Sequence, residues 1–442
     1  MKKLLSGLVL ISAIVGTGWA SPIVLTKEKC IELAIENNVD LQVAAIDLAA
    51  AEREKGSSWN NFLPEITATA GMDGDTALLD SDSDMDWALK AGIGVELPLT
   101  AGLAYTVKAL NLDYENEQIN YETDRLELIN NVENNFNSLI ATKAGIDIAK
   151  ANLDLAERRY QQTLNLYNNG LETELSTLSA KVSAAKLKPT YLKALESYNS
   201  ALRSFLLLIG LEPDAEVEIE GSLDFSKSDF DSEALIDKFL MNRMDIKSAL
   251  MNIEILENSR KKTASNSLAP SLGLSTSWYA GVNDAFGDAS FSDKLSDSLS
   301  LGLSLSIPLD DYIPGSSTNN TIKGIDDQIE SAKMSLEDTI KDAKLEIINI
   351  VEQLKTLAST LEMSELNVEL AKLTYDKSEE SYEQGGTERL DVEDAQQDYI
   401  SAKQECLESQ YDYLSELIDL RYALGLESLD TIKNETDRSV SQ

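Results

Sequence analysis

Apolar and polar positions repeat along this chain with two periods, and the switch between them sets its plan. Leu299, Leu301, Leu303, Leu305 and Ile307 alternate with Ser and Gly. That two-residue period predicts a strand over about 298–308 with one apolar face, stopped by Pro308. From about Ile325 the period lengthens. Ile340, Ile347, Leu354, Leu361, Val368, Tyr375 and Tyr382 recur every seventh residue, the seam of a long helix. Gly385-Gly386 ends it as a C-cap would, and a second helix runs back to Gly425. At ~1.5 Å per residue the first of these helices is on the order of 90–100 Å long, so it builds a rod or a tube.

The same seam occurs 215 positions earlier as Val132, Leu139, Ile146, Leu153, Tyr160 and Tyr167. Gly170 then matches Gly385, and Ile209-Gly210-Leu211-Glu212 matches Leu424-Gly425-Leu426-Glu427. Heptads alone do not align glycines, so the chain reads as an internal two-fold repeat. Repeat 1 covers 21–211 and repeat 2 covers 232–427, with a polar linker at 212–231 and a polar tail at 428–442. Each repeat opens with short helices, continues with two strands and closes with a helical hairpin. The strands fall at about 64–72, 87–98, 270–279 and 298–308, and the hairpins at 103–209 and 318–424. Pro98 is expected to close the second strand.

Composition removes whole classes of chemistry. The chain has no His, which eliminates imidazole acid–base catalysis, Ser-His triads and imidazole metal sites. No phosphate-cradling glycine loop or nucleophile elbow is present, so no catalytic residue, cofactor or metal site is expected. The acidic stretch Asp80–Asp86 lacks the glycine and terminal glutamate of a calcium loop and reads as a solvated loop. The net charge of −38 argues against nucleic acid as a partner. Cys30 and Cys406 allow one disulfide, but two lone cysteines on helices read more simply as unpaired small hydrophobes.

Residues 1–20 have the pattern of a secretory signal: Lys2 and Lys3, an apolar run from Leu4 to Val15, and small residues before Ser21. No other apolar segment is long enough for a spanning helix, so any membrane embedding must use strands. Strands of about ten residues cross a bilayer when tilted. Four of them leave two open edges, which lipid does not tolerate, and the smallest membrane barrels have about eight. Several chains must therefore share one barrel; the pattern does not fix how many. The competing class is an exported coiled-coil structural or adhesive surface protein without a lumen.

Several segments resemble the outer membrane efflux protein family, the TolC-like channels. Leu25-Thr26 with Ala34-Ile35-Glu36-Asn37-Asn38 and Leu41 is similar to that family's first helix, and Asn242-Arg243-Met244-Asp245-Ile246 to its counterpart in the second repeat. Glu96-Leu97-Pro98-Leu99 and Ser306-Ile307-Pro308-Leu309 resemble its strand-to-helix transitions. Tyr382 with Gly385, then Leu390-Asp391-Val392 and Asp394-Ala395, resembles its second hairpin tip. The family's usual Pro in the helical openings is replaced by Val39 and Met244.

The resemblance implies a mainly α protein with a membrane β-barrel: a homotrimer whose twelve shared strands span the outer membrane and whose hairpins form an α-barrel through the periplasm. It implies a passive, non-enzymatic exit duct for small-molecule efflux or type I secretion. The partners would be a periplasmic adaptor, an inner membrane transporter of RND, ABC or MFS type, and outer membrane lipid. Asp391 and Asp394 would form the selectivity rings of a periplasmic constriction. Without the resemblance, two aspartates three apart are a solvated helix face. The family's gate links a Tyr and an Arg of repeat 2 to an Asp of repeat 1. Here Tyr382 holds the Tyr position, Thr387 the Arg position with Arg389 nearby, and Ser176 the Asp position, so packing and hydrogen bonds are expected to replace a charged latch. Gly170-Leu171 and Gly385-Gly386 match the adaptor-docking tips, where glycine also serves a left-handed turn.

Overall fold

The computed structural model describes residues 23–75, 86–223, 227–283, 285 and 290–428. The signal-like segment, most of the Asp80–Asp86 loop and the polar tail lie outside them. A short strand β1 (Ile23–Leu25) leads into α1 (Lys27–Asn37) and α2 (Val39–Gly56). Thr26 caps α1, and the Asn38 side chain caps α2 by accepting from Leu41 N, which explains why Asn37-Asn38 divides them. Two strands follow, β2 (Glu65–Asp75) and β3 (Asp86–Leu99), then the hairpin of α3 (Leu103–Asn168) and α4 (Glu174–Leu208).

The second half opens with β4 (Val217–Ile219), α5 (Ser232–Phe239) and α6 (Met244–Leu268). It continues with β5 (Ser271–Val282), a four-residue α7 (Phe291–Lys294) and β6 (Leu295–Ser306), and closes with α8 (Ser317–Glu383) and α9 (Arg389–Ala423). The two long helices, α3 and α8, have 66 and 67 residues, and both returning helices have 35.

The strand ends differ from the pattern by a few residues. β3 runs through Pro98 to Leu99, because a proline costs a strand only one donor. β6 ends at Ser306, so Ile307 lies just beyond it. The polar stretch 212–231 is more than a connector: β4 pairs in parallel with β1, placing Leu25 and Ile219 in the core, and Phe230 is also buried. Three-residue strands are too short for a period to reveal.

The halves build separate cores. One gathers Leu25, Cys30, Val132, Phe136, Phe205 and Ile209; the other gathers Phe239, Ile246, Ile347, Leu361, Tyr413 and Leu420. Cys30 and Cys406 belong to different cores and both are free; burial pushes the Cys30 thiol up to about 12. The seams are tight at Val132 and Ile347 and open toward the hairpin tips, where Tyr167 and Tyr382 are exposed.

Corresponding contacts hold both hairpin bases. Gly210 and Gly425 have φ of +74° and +64°. A Cβ there would fall 2.8 Å from the carbonyl oxygen of Asn37 and of Asn242 respectively, so only glycine fits. Beside them Asn38 Nδ2 donates to Leu208 O and Arg243 Nη1 to Ala423 O, both at 3.0 Å.

Candidate functional site

Two regions answer the sequence reading: a sheet with one apolar face, and hairpin tips joined by polar contacts. The sheet has strand order β2-β3-β5-β6, antiparallel throughout. Its register lines up Ile66 with Val95, Val95 with Thr276, and Thr276 with Leu301. Since side chains alternate across a strand, one face carries Ile66, Met72, Leu89, Ile93, Leu274, Trp278, Leu299, Leu301, Leu303 and Leu305. All of them are exposed, Leu301 at 80%. The opposite face carries Thr67, Thr69, Ser275, Ser277, Ser300, Ser304 and several glycines, with Lys90 in an ion pair to Asp73 at 3.3 Å. Ser277 and Ser300 hydroxyls meet at 2.6 Å across that polar face. An apolar face on one side and a hydroxyl face on the other is the pattern of strands that separate lipid from a watery bore.

The helices form a second layer with the same logic. α4 packs on α3, α3 on α9, and α9 on α8, which leaves α4 and α8 as outer edges. Both edges expose heptad stripes: Leu175, Leu178 and Val182 on α4, and Met363, Leu366, Leu370 and Leu373 on α8.

The tips are built alike. Gly170 N donates to Tyr167 O and Leu171 N to Leu166 O, both at 2.9 Å; Gly385 N donates to Tyr382 O and Gly386 N to Ser381 O, at 3.0 and 2.9 Å. Each is a Schellman turn, with the glycine φ at +75°. Thr173 then caps α4 by accepting from Ser176 N at 3.1 Å. On α9 the cap is a reciprocal box between Glu388 and Asp391. Asp391 Oδ2 accepts from Thr387 Oγ1 at 2.6 Å and from Glu388 N at 3.2 Å. These bonds, the Thr387 hydroxyl first, hold the Asp391 carboxyl below the usual carboxylate range. Asp394 is exposed one turn further along α9.

Thr387 therefore serves its own tip. The bridge between hairpins comes from Arg389, whose Nη1 donates to Thr163 Oγ1 at 2.5 Å while Nε donates to Glu393 Oε1 at 3.1 Å. Thr163, on α3, is buried. Arg159, Thr163, Tyr382 and Arg389 line a cleft of 520 Å³ between the hairpins. Nearby Tyr375 stacks on Tyr399, with ring centroids 6.2 Å apart. Ser176 and Thr387 sit on different hairpins with no bond between them among the described residues.

The Arg389 bridge is the first rung of a polar ladder along the α3–α9 junction. Gln396 Nε2 donates to Asn152 Oδ1 at 3.5 Å, Ser415 Oγ to Asn134 Oδ1 at 3.1 Å, and Asn130 Nδ2 to Asp419 Oδ1 at 3.5 Å. At its far end Arg421, 2% exposed, meets Glu133 at 3.0 Å, and Lys27 approaches Glu133 from the other side at 3.7 Å. Arg421 Nη1 donates to Glu427 O at 3.0 Å, but its Nε is buried without a hydrogen-bond partner. Burial draws the Arg421 pKa down, against the pull of Glu133 and Asp419. Apart from Arg389, these rungs carry no local motif; their signal in the sequence is the Asn-rich run Asn130–Asn137 on α3.

Among the described residues no helix is long and apolar enough to cross a membrane. A search of curated proteins finds no match in sequence. Among solved structures the fold is similar to the CmeC outer membrane channel of Campylobacter jejuni, with TM-score 0.74, 18% identity, and 93% of this chain and 89% of that one covered. It is similar to the outer membrane protein VceC of Vibrio cholerae, with TM-score 0.72, 19% identity, and coverages of 90% and 96%. It is also similar to the open state of the MtrE outer membrane channel of Neisseria gonorrhoeae, with TM-score 0.73, 19% identity, and coverages of 90% and 89%. The model of the family described as outer membrane efflux protein matches residues 30–211 and again 235–426, and the chain belongs to that family.

Proposed function

We propose that this outer membrane protein is the passive exit duct of a tripartite efflux or type I secretion system, working as a homotrimer. One observation carries the reading: the sheet and the helical layer each end in two unsatisfied edges, one from each half of the chain. Strands β2 and β6 leave open hydrogen-bonding edges, and α4 and α8 leave apolar stripes. Two different edges on one body call for a head-to-tail ring of copies. A neighbour's β2 on β6 continues the sheet, and a neighbour's α4 on α8 buries both stripes. Three copies give twelve strands, above the minimum of about eight for a membrane barrel. The paired contacts at Gly210 and Gly425, with long helices of 66 and 67 residues and returning helices of 35 residues in both halves, support an internal two-fold repeat.

In this ring Asp391 and Asp394 stand near the narrow end as carboxylate rings that favour cations. The tips at Gly170-Leu171 and Gly385-Gly386 receive a periplasmic adaptor, which links the duct to an inner membrane transporter. The closed state is held by Tyr382 packing and by Arg389 on Thr163, with Ser176 and Thr387 as bystanders. Reconstitution in a planar bilayer tests the duct: discrete, cation-favouring conductance steps are expected. A protein that gives no steps, and stays monodisperse as a single subunit without detergent, is a surface rod.

A further inference from the structure

We infer that copies of this chain recognise one another through a charged heptad seam, in which a lysine row on α4 of one copy meets an acidic row on α8 of its neighbour. This rests on the ring reading and adds what selects the pairing. Near the tips each of these helices has two opposite faces. On α4, Thr177, Ala180 and Ala184 are buried where it packs on α3, while Leu175, Leu178, Val182 and Leu192 are exposed on the far side. On α8, Leu361 and Ser364 are buried, while Met363, Leu366, Leu370 and Leu373 are exposed. Each exposed stripe follows the three-then-four spacing of a coiled-coil seam.

Charge flanks both stripes. Lys181 and Lys188 border the one on α4; Glu362, Glu369, Asp376 and Glu383, recurring every seventh residue, border the one on α8. All six are exposed, and none has an ion-pair partner among the described residues. Their neighbours Glu365 and Lys377 are already paired, with Lys227 and Glu380. As a whole α4 carries five Lys or Arg against two Asp or Glu, whereas α8 carries seven against fifteen. A basic edge and an acidic edge on one body attract head to tail. Acidic rows repel if α8 meets α8, and lysines repel if α4 meets α4, so face-to-face dimers are disfavoured. The pattern therefore specifies the heterologous contact that a ring needs.

The stripes also fix a register. α8 runs toward the tips and α4 away from them, so the pair is antiparallel. With Val182 opposite Leu373, Ala185 opposite Leu370 and Leu192 opposite Met363, every layer is apolar, and Lys181 then faces Asp376 while Lys188 faces Glu369. A slip of one heptad sets Val182 on Glu380 and Ala185 on Lys377.

The test places a thiol pair in the seam of the full chain in detergent: Leu192→Cys with Met363→Cys, in a Cys406→Ser background, since Cys30 is buried. Non-reducing gels are expected to show disulfides between subunits. Lys181→Glu with Lys188→Glu should slow their formation about tenfold at ~0.1 M salt, and adding Glu369→Lys with Asp376→Lys should restore the rate. At ~1 M salt, where screening acts within about 3 Å, the difference should shrink to about twofold. A rate indifferent to charge reversal overturns the charged seam and leaves the ring. Faster cross-linking of Leu192→Cys with Leu370→Cys overturns the register. A sedimenting trimer without cross-links overturns the α4–α8 pairing and gives the α8 edge to another protein. A monomer ends the ring reading itself.

Discussion

Arg389 Nη1 donates to Thr163 Oγ1 at 2.5 Å across 226 positions of sequence, tying the start of the last helix to the buried side of the first long one. It is the rung nearest the tips. Each hairpin is closed internally by an apolar seam, while the junction between hairpins is polar. Hydrogen bonds of this kind contribute about 1 kcal/mol each and re-form with water at small cost, so the junction yields before the seams do.

Loss of that rung should loosen the narrow end. Thr163→Val removes the acceptor without changing side-chain size, and Arg389→Gln removes the charge. Each is expected to weaken the junction by about 1–2 kcal/mol and to raise single-channel conductance or open time in a planar bilayer. Tyr382→Ala should act in the same direction. Ser176→Ala should leave conductance unchanged, because the Thr173 cap uses only the Ser176 amide. Conductance insensitive to Thr163→Val would place the closure elsewhere.

The far rung should govern stability rather than gating. Glu133→Gln leaves the buried Arg421 guanidinium without its counter-charge, and a loss of about 3–5 kcal/mol is expected. The double change Glu133→Leu with Arg421→Met should recover most of it, since no buried charge is left unpaired and the half-exposed Lys27 reaches water. Thermal unfolding followed by circular dichroism reads both. A double variant as unstable as the single one would show that the polar rung itself is needed.

The legible parts of this fold were those with a period. Val132 to Tyr167 and Ile340 to Tyr382 announce helices because a seam repeats many times, and Leu299 to Leu305 announce a strand because alternation survives lipid or core alike. The tip glycines were legible because a left-handed turn leaves few alternatives. The junction was not. Thr163, Asn152 and Gln396 are single polar residues on helices, and their partners lie more than two hundred positions away. Nothing local separates them from solvated positions. Thr387 satisfies Asp391 four positions on, while Arg389, two residues further, reaches across to Thr163.

The facing of the sheet predicts an asymmetric response to charge. Leu301→Arg puts a guanidinium on the apolar face and is expected to cost about 2–4 kcal/mol in the membrane, with folding into vesicles largely lost. Ser300→Arg, one residue away, points to the polar face beside Ser277 and should fold normally while lowering cation preference. Gel-shift folding assays and reversal potentials measure the pair. Equal damage from both would mean that neither face meets lipid.

Asp391 caps α9 and, in the proposed ring, would also set selectivity; pH separates the two roles. Its carboxylate accepts from Thr387 and from the Glu388 amide, so its pKa in the folded protein lies below that in the unfolded chain. A depressed folded pKa contributes stability that is present above the ordinary carboxylate range and lost as pH falls through the depressed value. The tip should therefore stay capped and charged through mild acid, with cation preference persisting below the range in which free carboxylates protonate. Thr387→Val removes the largest of these bonds, so loss of cation preference should move to higher pH while conductance at neutral pH stays unchanged. Asp391→Asn should remove the Asp391 share of the pH dependence and speed amide exchange at residues 387–391, because a neutral amide oxygen accepts more weakly from Thr387 and the Glu388 amide. Faster exchange with selectivity unchanged would confine Asp391 to capping and leave the ring charge to Asp394.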